Sequence, residues 1–363
     1  MKELFLSSCI AVTLIAADGC KSIGPPAMRA GRIEYNKALA ESTSEQLLLN
    51  IVKMRFLDQP VFLRVSSLTS NISFQSELGT NTTGVFDSTK FPTSVSPSFT
   101  WKENPTITYQ ELTGADYVKQ LLAPIPADTI VLLLQSWPAD MVLPLAVNEI
   151  NNVNNTRDPI NHNVYDSEDN SHQLFSEIAQ TMTKLGMQRT LEWSVTRPSL
   201  SEGTLETAIL LNKPDNAQTK VMVQSLLEDL GLKQAEHGST RLKVEYGLEK
   251  KDDSTIVLGT RSMQDVLAYS SLDVDIPESM QSTSIQPAID WQDRIGTRLF
   301  HVKQSLSKPT NAAVAIEYDD HWFYIANDDL QSKATFFLIQ VLMGMQSGSS
   351  NSGSPVLTIP VSG

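Results

Sequence analysis

The chain has 363 residues, 41% of them hydrophobic and 19% charged, and its 41 acidic against 28 basic residues give a formal net charge of −13. That length supports two domains of ordinary size, each able to bury a core without covalent staples. A body this acidic repels nucleic acid and anionic headgroups, and two cysteines, Cys9 and Cys20, rule out a Cys-ligated zinc site or a CxxC redox centre.

Residues 4–17, LFLSSCIAVTLIAA, form an apolar run of signal-peptide length, too short to span a bilayer comfortably as a permanent helix. Gly19-Cys20 resembles the lipobox of bacterial lipoproteins. The resemblance implies that the Cys20 sulfur receives diacylglycerol, that residues 1–19 are cut away and that the new amine is acylated. Lys21, a non-acidic residue after the cysteine, implies transfer to the outer membrane, with the protein facing the periplasm. The other reading is an ordinary signal peptide cut near Ala16 or Ala17. Cys9 is lost in either case, so no internal disulfide is expected. Membrane attachment then rests on the acyl chains, each buried methylene contributing about 0.8 kcal/mol.

Lys21–Gly31, with Gly24, Pro25, Pro26 and Gly31, reads as a tether. Ile33–Phe56 is expected to be helical, since Leu48, Ile51, Val52 and Arg55 recur at helical spacing, and Pro60 ends it. Two strand-like runs follow, Val61–Leu78 and Thr93–Leu112, around a Thr/Asn/Ser/Gly-rich stretch, Gly79–Pro92. They form either one long antiparallel hairpin or two separate short strand pairs. Gly114–Val153 is apolar and expected to be helical, but Asp128, Asp140, Pro138 and Pro144 interrupt it too closely for a membrane span.

The Asn-rich stretch 148–170 lacks periodicity and is taken as a domain boundary. Beyond it, helices are expected at Gln173–Met187, Ala217–Leu230 and Met263–Tyr269. Strands are expected at Thr190–Val195, Thr204–Leu211, Arg241–Leu248 and Thr255–Gly259. A polar insert, Asp273–Asp293, precedes strands at Leu299–Ser305, Ala312–Tyr318 and His321–Ile325, a helix at Asp329–Met345 and a last strand at Pro355–Val361. The pattern lacks a βαβ rhythm, so the expected fold class is α+β, mainly antiparallel sheets with packed helices. The expected organisation is a signal peptide (1–19), a lipidated tether (20–32), an N-terminal domain (33–153), a linker (154–172) and a C-terminal α+β domain (173–363).

Glu45-Gln46-Leu47-Leu48-Leu49-Asn50 running to Arg55, Pro124-Ile125-Pro126, Trp322-Phe323-Tyr324-Ile325 with Asp329 and Ser332-Lys333, and Pro355–Val361 resemble a family of uncharacterised Gram-negative envelope lipoproteins. The resemblance spans nearly the whole mature chain and implies an envelope location, but carries no reaction with it.

Asp319, Asp320, His321 and Asp328 are the sharpest polar cluster, and carboxylates with an imidazole can hold a divalent ion if they converge. The competing reading makes Asp319-Asp320 a two-residue hairpin turn. Tyr318 then pairs with His321, Ile316 with Phe323 and Val314 with Ile325 on one apolar face, with Glu317 opposite Trp322 and Ala315 opposite Tyr324. Asp328 or Asp329 becomes the N-cap of the next helix. The hairpin reading is preferred, so no metal ligand, cofactor or catalytic residue is assigned. GxSxG and HExxH are absent, and the lone SxxK, Ser305 to Lys308, runs into Pro309. In the helix from Asp329 to Met345, Ala334, Phe337, Leu338, Val341, Leu342 and Met345 form an apolar stripe that Phe336, Ile339 and Met343 extend, expected to face the core of its own domain or else to lie under a partner.

The expected role is that of a non-enzymatic accessory or scaffold in an envelope assembly, held to the membrane by lipid and bound to an envelope protein, with no nucleic-acid partner. A hydrolase using carboxylates and a periplasmic binder of small ligands are the alternatives.

Overall fold

The computed structural model describes residues 24–80, 95–111, 115–155, 171–196, 205–233, 239–283 and 299–347. The chain divides into two compact units, whose described parts are residues 24–60 with 119–347, and residues 61–118. The fold is α+β.

The first unit opens with helix α1, Gly24–Arg55. The tether expected over 21–31 is therefore helical from Gly24 onward. Prolines at the start of a helix cost little, because the missing N–H has no intrahelical partner there and the fixed φ suits the first turn. The helix ends on Leu57 in the left-handed region (φ 63), where Asp58 N–H reaches back to the Lys53 carbonyl at 2.9 Å. Two further helices close the same way, α5 (Ser171–Met187) on Arg189 (φ 55) and α6 (Ala217–Asp229) on Gly231 (φ 62). Glycine takes that conformation freely, whereas a side chain costs about 1–2 kcal/mol. Leu57→Gly and Arg189→Gly should each raise stability by about 1 kcal/mol, read as a higher thermal midpoint.

Its main sheet has six strands in the order β4-β3-β8-β7-β6-β5. These are β3 (Val147–Ile150), β4 (Val153–Asn154), β5 (Leu191–Thr196), β6 (Glu206–Leu211), β7 (Thr240–Tyr246) and β8 (Thr255–Thr260). All neighbours are antiparallel except β7 and β8. β7 alternates, with Thr240, Leu242 and Val244 buried and Arg241 and Lys243 exposed, whereas central β8 is buried throughout. Helices α3 (Ala127–Leu134) and α5 pack on this sheet, and α4 (Ala139–Ala146) and α6 pack on α5. The boundary expected at 154–172 thus does not divide two cores. β3 precedes it and β4 reaches its first residue, yet β3 hydrogen-bonds to β8, so residues 147–154, where the expected helical segment overlapped the non-periodic boundary stretch, complete a sheet made mostly from the other side.

Asn151 and Asn152, read in sequence as part of a linker, form the two-residue β3–β4 turn with φ 45 and 69. Asparagine tolerates this conformation because its short side chain bonds locally. Here Asn151 Oδ1 also accepts from Val257 N–H at 2.7 Å, and its Nδ2 donates to the Leu230 carbonyl at 3.0 Å.

Arg261 joins the parts and is 1% exposed. Its Nη1 donates to the carbonyls of Pro144 (2.7 Å) and Leu145 (3.1 Å), and its backbone N–H donates to that of Ala146 at 2.9 Å. The terminal carbonyls of α4 thereby meet a cation where the helix dipole is negative. The guanidinium carbon lies 4.0 Å from the ring centre of Tyr269 on α7 (Met263–Ser271), which starts at a capping box of Ser262 and Asp265.

A second sheet, β10-β11-β9, carries the C-terminal part. It consists of β9 (Lys303–Ser305), β10 (Ala312–Tyr318) and β11 (His321–Ala326), followed by α8 (Leu330–Ser347). Helix α1 packs on α7 and β10, and α8 packs on α7. Phe56 stacks on Tyr318 at 5.7 Å between ring centres and meets Phe323 edge-on at 6.1 Å.

The buried face of α8 keeps Leu338 and Leu342 of the expected stripe and takes Phe336 and Ile339 from its extension, while two of the stripe's own residues turn outward. Ser332, Thr335, Phe336, Leu338, Ile339 and Leu342 are buried, while Phe337 and Met345 are 55% and 44% exposed. Apolar residues surround most of this helix, so their spacing does not select a face. Two hydroxyls decide it, Thr335 donating to the Leu299 carbonyl and Ser332 to Asp329. The last expected strand, Pro355–Val361, lies outside the described residues, as do residues 284–293 of the expected insert. The rest of that insert is ordered around buried Asp273 and Val274 and a 3-10 helix, Glu278–Thr283.

The described core of the second unit is an antiparallel pair, β1 (Leu63–Thr80) and β2 (Val95–Glu111), the long hairpin of the two sequence readings. Helix α2, Ala115–Leu122, follows, and its Tyr117 packs on Phe62.

Candidate functional site

The β1–β2 ladder runs from Leu63 opposite Glu111 to Thr80 opposite Val95, with one register shift between Val65 and Ser67. Opposite residues share a face and successive residues alternate between faces. From Leu68 outward, one face therefore holds Thr69 with Thr106, Asn71 with Asn104, Ser73 with Lys102, Gln75 with Thr100, Glu77 with Ser98 and Gly79 with Ser96. None of these is apolar. The other face holds Leu68 with Ile107, Ser70 with Pro105, Ile72 with Glu103, Phe74 with Trp101, Ser76 with Phe99, Leu78 with Pro97 and Thr80 with Val95. Among the described residues the only strand β1 pairs with is β2, and the only strand β2 pairs with is β1. A two-stranded ribbon can bind another chain by continuing its sheet.

The sequence-flagged polar cluster resolves into a hairpin. Tyr318 pairs with His321, Ile316 with Phe323 and Val314 with Ile325, as the alternation predicts, and Asp319 and Asp320 are the turn, with φ 49 and 60. Both aspartates are exposed, and Asp328 lies beyond the far end of β11, also exposed. Asp329 is the cap, accepting from Ser332 N–H at 3.0 Å and from its hydroxyl at 2.7 Å. Among the described residues no group of three or more His, Cys, Asp or Glu side chains is placed to hold a metal.

His321 has a partner that sequence spacing does not reveal. Its Nδ1 lies 2.8 Å from the Asp319 carbonyl, and its Nε2 lies 3.3 Å from the Ser279 hydroxyl. A carbonyl only accepts, so Nδ1 carries the proton and, in the neutral ring, Nε2 accepts from the serine.

His301 and Asp275 form a second pair, Nε2 standing 2.9 and 3.0 Å from the two carboxylate oxygens. The backbone N–H of His301 donates to Ser332 Oγ at 2.9 Å. Asp275 N–H donates to the Val302 carbonyl, and Val302 N–H to that of Asp273. This clamp ties the end of α7, the approach to β9 and the start of α8. Burial opposes ionisation of Asp329, but the hydrogen bonds from Ser332, with His301 and Lys303 nearby, outweigh it and hold the carboxyl below its ordinary range. A depressed carboxylate stabilises the fold above its unfolded pKa, and that contribution fades as pH falls through the folded value. The stability difference between wild type and Asp329→Asn should therefore shift against wild type between pH 6 and pH 3, as read by urea unfolding. An unchanged difference would show that Asp329 is not tied to the fold in its charged form. Replacement by Ala should cost about 0.5–2 kcal/mol at neutral pH.

Cys20 lies outside the described residues, and no described helix is long and apolar enough to cross a membrane. The chain matches no protein-family model, and neither a curated protein nor a solved structure matches it.

Proposed function

We propose that the chain is a lipid-anchored envelope protein that serves, without enzymatic activity of its own, as an accessory or scaffold in an envelope assembly. In this reading Cys20 carries the lipid, the outer membrane is the site, and the periplasm is the side the body faces. The long two-stranded β1–β2 ladder carries the proposal. A ribbon of that length is a surface that another chain's strand can extend. The acidic composition agrees, since it leaves the lipid as the means of attachment.

Excising residues 69–106 and joining Leu68 to Ile107 through an Asn-Gly turn tests it, because those two residues are directly paired. Thermal unfolding of the first unit and export should be retained. Recovery of co-purifying envelope proteins should fall by at least about tenfold, or about 1.4 kcal/mol of affinity. A full set of partners on the shortened chain would remove the proposal. The anchor is tested separately by intact mass, since Cys20→Ser should lose the acyl mass and leave an uncut or mis-sorted precursor.

One observation favours a hydrolase instead, the Ser279–His321 pair oriented by the Asp319 carbonyl. A fluorophosphonate probe separates the readings. The scaffold predicts no labelling, whereas labelling lost in both Ser279→Ala and His321→Ala would make this pair a nucleophile and its base.

A further inference from the structure

The three-stranded sheet β10-β11-β9 turns one face to α1 and carries different chemistry on the other. Phe323 and Ile325 are fully buried, and Phe56 of α1 packs on Phe323 and Tyr318. Successive strand residues point to opposite faces, so Trp322 and Tyr324 stand on the far side, both part-exposed. We infer that this outer face is a glycan-binding platform whose ligand is a sugar chain bearing carboxylates, the polysaccharide of a bacterial cell wall. The choice of the cell wall as source rests on the envelope reading above, whereas the platform itself is independent of the β1–β2 ribbon.

Three observations support it. First, two rings stand side by side on a rigid support. Trp322 and Tyr324 are two positions apart on β11, the middle strand, so their Cα atoms are about 7 Å apart, within reach of adjacent rings of one sugar chain. β11 is hydrogen-bonded on both sides, to β10 and to β9. An aromatic side chain at a half-wet surface offers an apolar flat and, in Trp and Tyr, a polar tip. A sugar ring matches that pattern, with C–H groups on its faces and hydroxyls around its edge.

Second, the positions around the rings are polar or small. On β9, Ser305 lies opposite Trp322 and Lys303 opposite Tyr324; on β10, Glu317 lies opposite Trp322 and Ala315 opposite Tyr324. These positions supply no aliphatic side chain larger than alanine, whereas aromatic anchors of a protein interface are closed in by apolar packing. Among the described residues the Trp322 N–H, the Tyr324 hydroxyl and the Glu317 carboxylate have no hydrogen-bond partner in the protein. The three together can donate and accept, which suits a ligand whose rim is hydroxyl groups.

Third, a cation stands at the rings in a chain whose formal net charge is −13. Lys308 Nζ lies 5.3 Å from the centre of the Trp322 ring, within cation–π reach. Lys303 is near enough to Asp329 to favour its ionised form, which leaves Lys308 as the ammonium for a ligand carboxylate. The overall charge disfavours nucleic acid, the other polymer that stacks on exposed aromatic rings.

The test is co-sedimentation of the full chain, purified in detergent, with insoluble peptidoglycan sacculi and, in parallel, with chitin, a polysaccharide without carboxylates. Saturable binding to sacculi is expected, tighter than to chitin by at least about tenfold. Trp322→Ala and Tyr324→Ala should each weaken it by at least about tenfold through lost stacking, while Trp322→Phe and Tyr324→Phe keep a ring and most of the binding. Lys308→Gln should abolish the preference for sacculi and leave chitin binding unchanged; Lys308 is exposed, so this variant decides the matter even where an Ala variant does not fold. Three outcomes overturn the inference. Sacculi do not bind saturably, or they bind folded Trp322→Ala and Tyr324→Ala as they bind wild type, or the wild type takes chitin as tightly as sacculi. Excision of 69–106 should leave sacculus binding intact, so recovery of envelope proteins reports on the ribbon and sacculus binding on the platform.

Discussion

Replacing Arg261 by Met should destabilise the first unit by about 1–3 kcal/mol. The buried Leu145 carbonyl loses its donor, which costs about that much, while the Pro144 carbonyl keeps the Asn155 amide at 2.9 Å. Methionine fills similar space, so the loss reports the hydrogen bonds more than a cavity. Arg261→Lys keeps the charge over Tyr269 but replaces a planar fork by a single ammonium, and should fall between the two. Urea unfolding of the three proteins checks this. A loss below about 1 kcal/mol for the Met variant would mean that water replaces the guanidinium and that the end of α4 is not held by it.

Asn151→Ala should cost about 2–4 kcal/mol, because it strands the Val257 N–H and the Leu230 carbonyl and forces a non-glycine residue to hold φ 45. Asn151→Gly loses the same bonds but adopts the left-handed conformation freely, so it should be milder by roughly 1 kcal/mol. If Gly and Ala cost the same, the turn geometry contributes nothing. If neither costs anything, the amide does not stitch β3 to β8.

These two residues show where sequence reading reaches its limit. Asn151-Asn152 has the composition of a linker and the conformation of a hairpin turn. What separates the two is whether apolar partners flank it in register, and Ile150 and Val153 are too short a flank to announce themselves. Arg261 carries no local signal, because its carbonyl partners lie 116 and 117 residues earlier. By contrast, Val314–Ile325 was legible pair by pair, since a two-residue turn between alternating apolar runs leaves one register in which the apolar positions share a face, although the shift between Ala312 and Val314 was not. The β1–β2 ribbon was legible as a hairpin for the same reason, although the shift at Val65/Ser67 was not. Helix α8 was legible only in part: apolar residues on nearly all sides gave its spacing too many solutions, so Leu338 and Leu342 were placed correctly and Phe337 and Met345 were not. Of the site residues, the aspartates of the 319–321 turn were foreseen in their structural role. Ser279 and the Asp275–His301 pair were not, because 42 and 26 residues separate the members of each contact.

The position of α1 has a consequence for biogenesis. Ser44 accepts from Gln340, 296 residues later, and Asp58 accepts from the Tyr318 hydroxyl, 260 residues later. The apolar face of α1, with Leu48, Ile51 and Val52 fully buried in the finished fold, therefore has no place to go until nearly all of the chain has been synthesised. Contacts this distant in sequence form late, since the loop must close before they repay its entropy. The first helix therefore finds its partners, α7 and β10, only after most of the chain before them has been made.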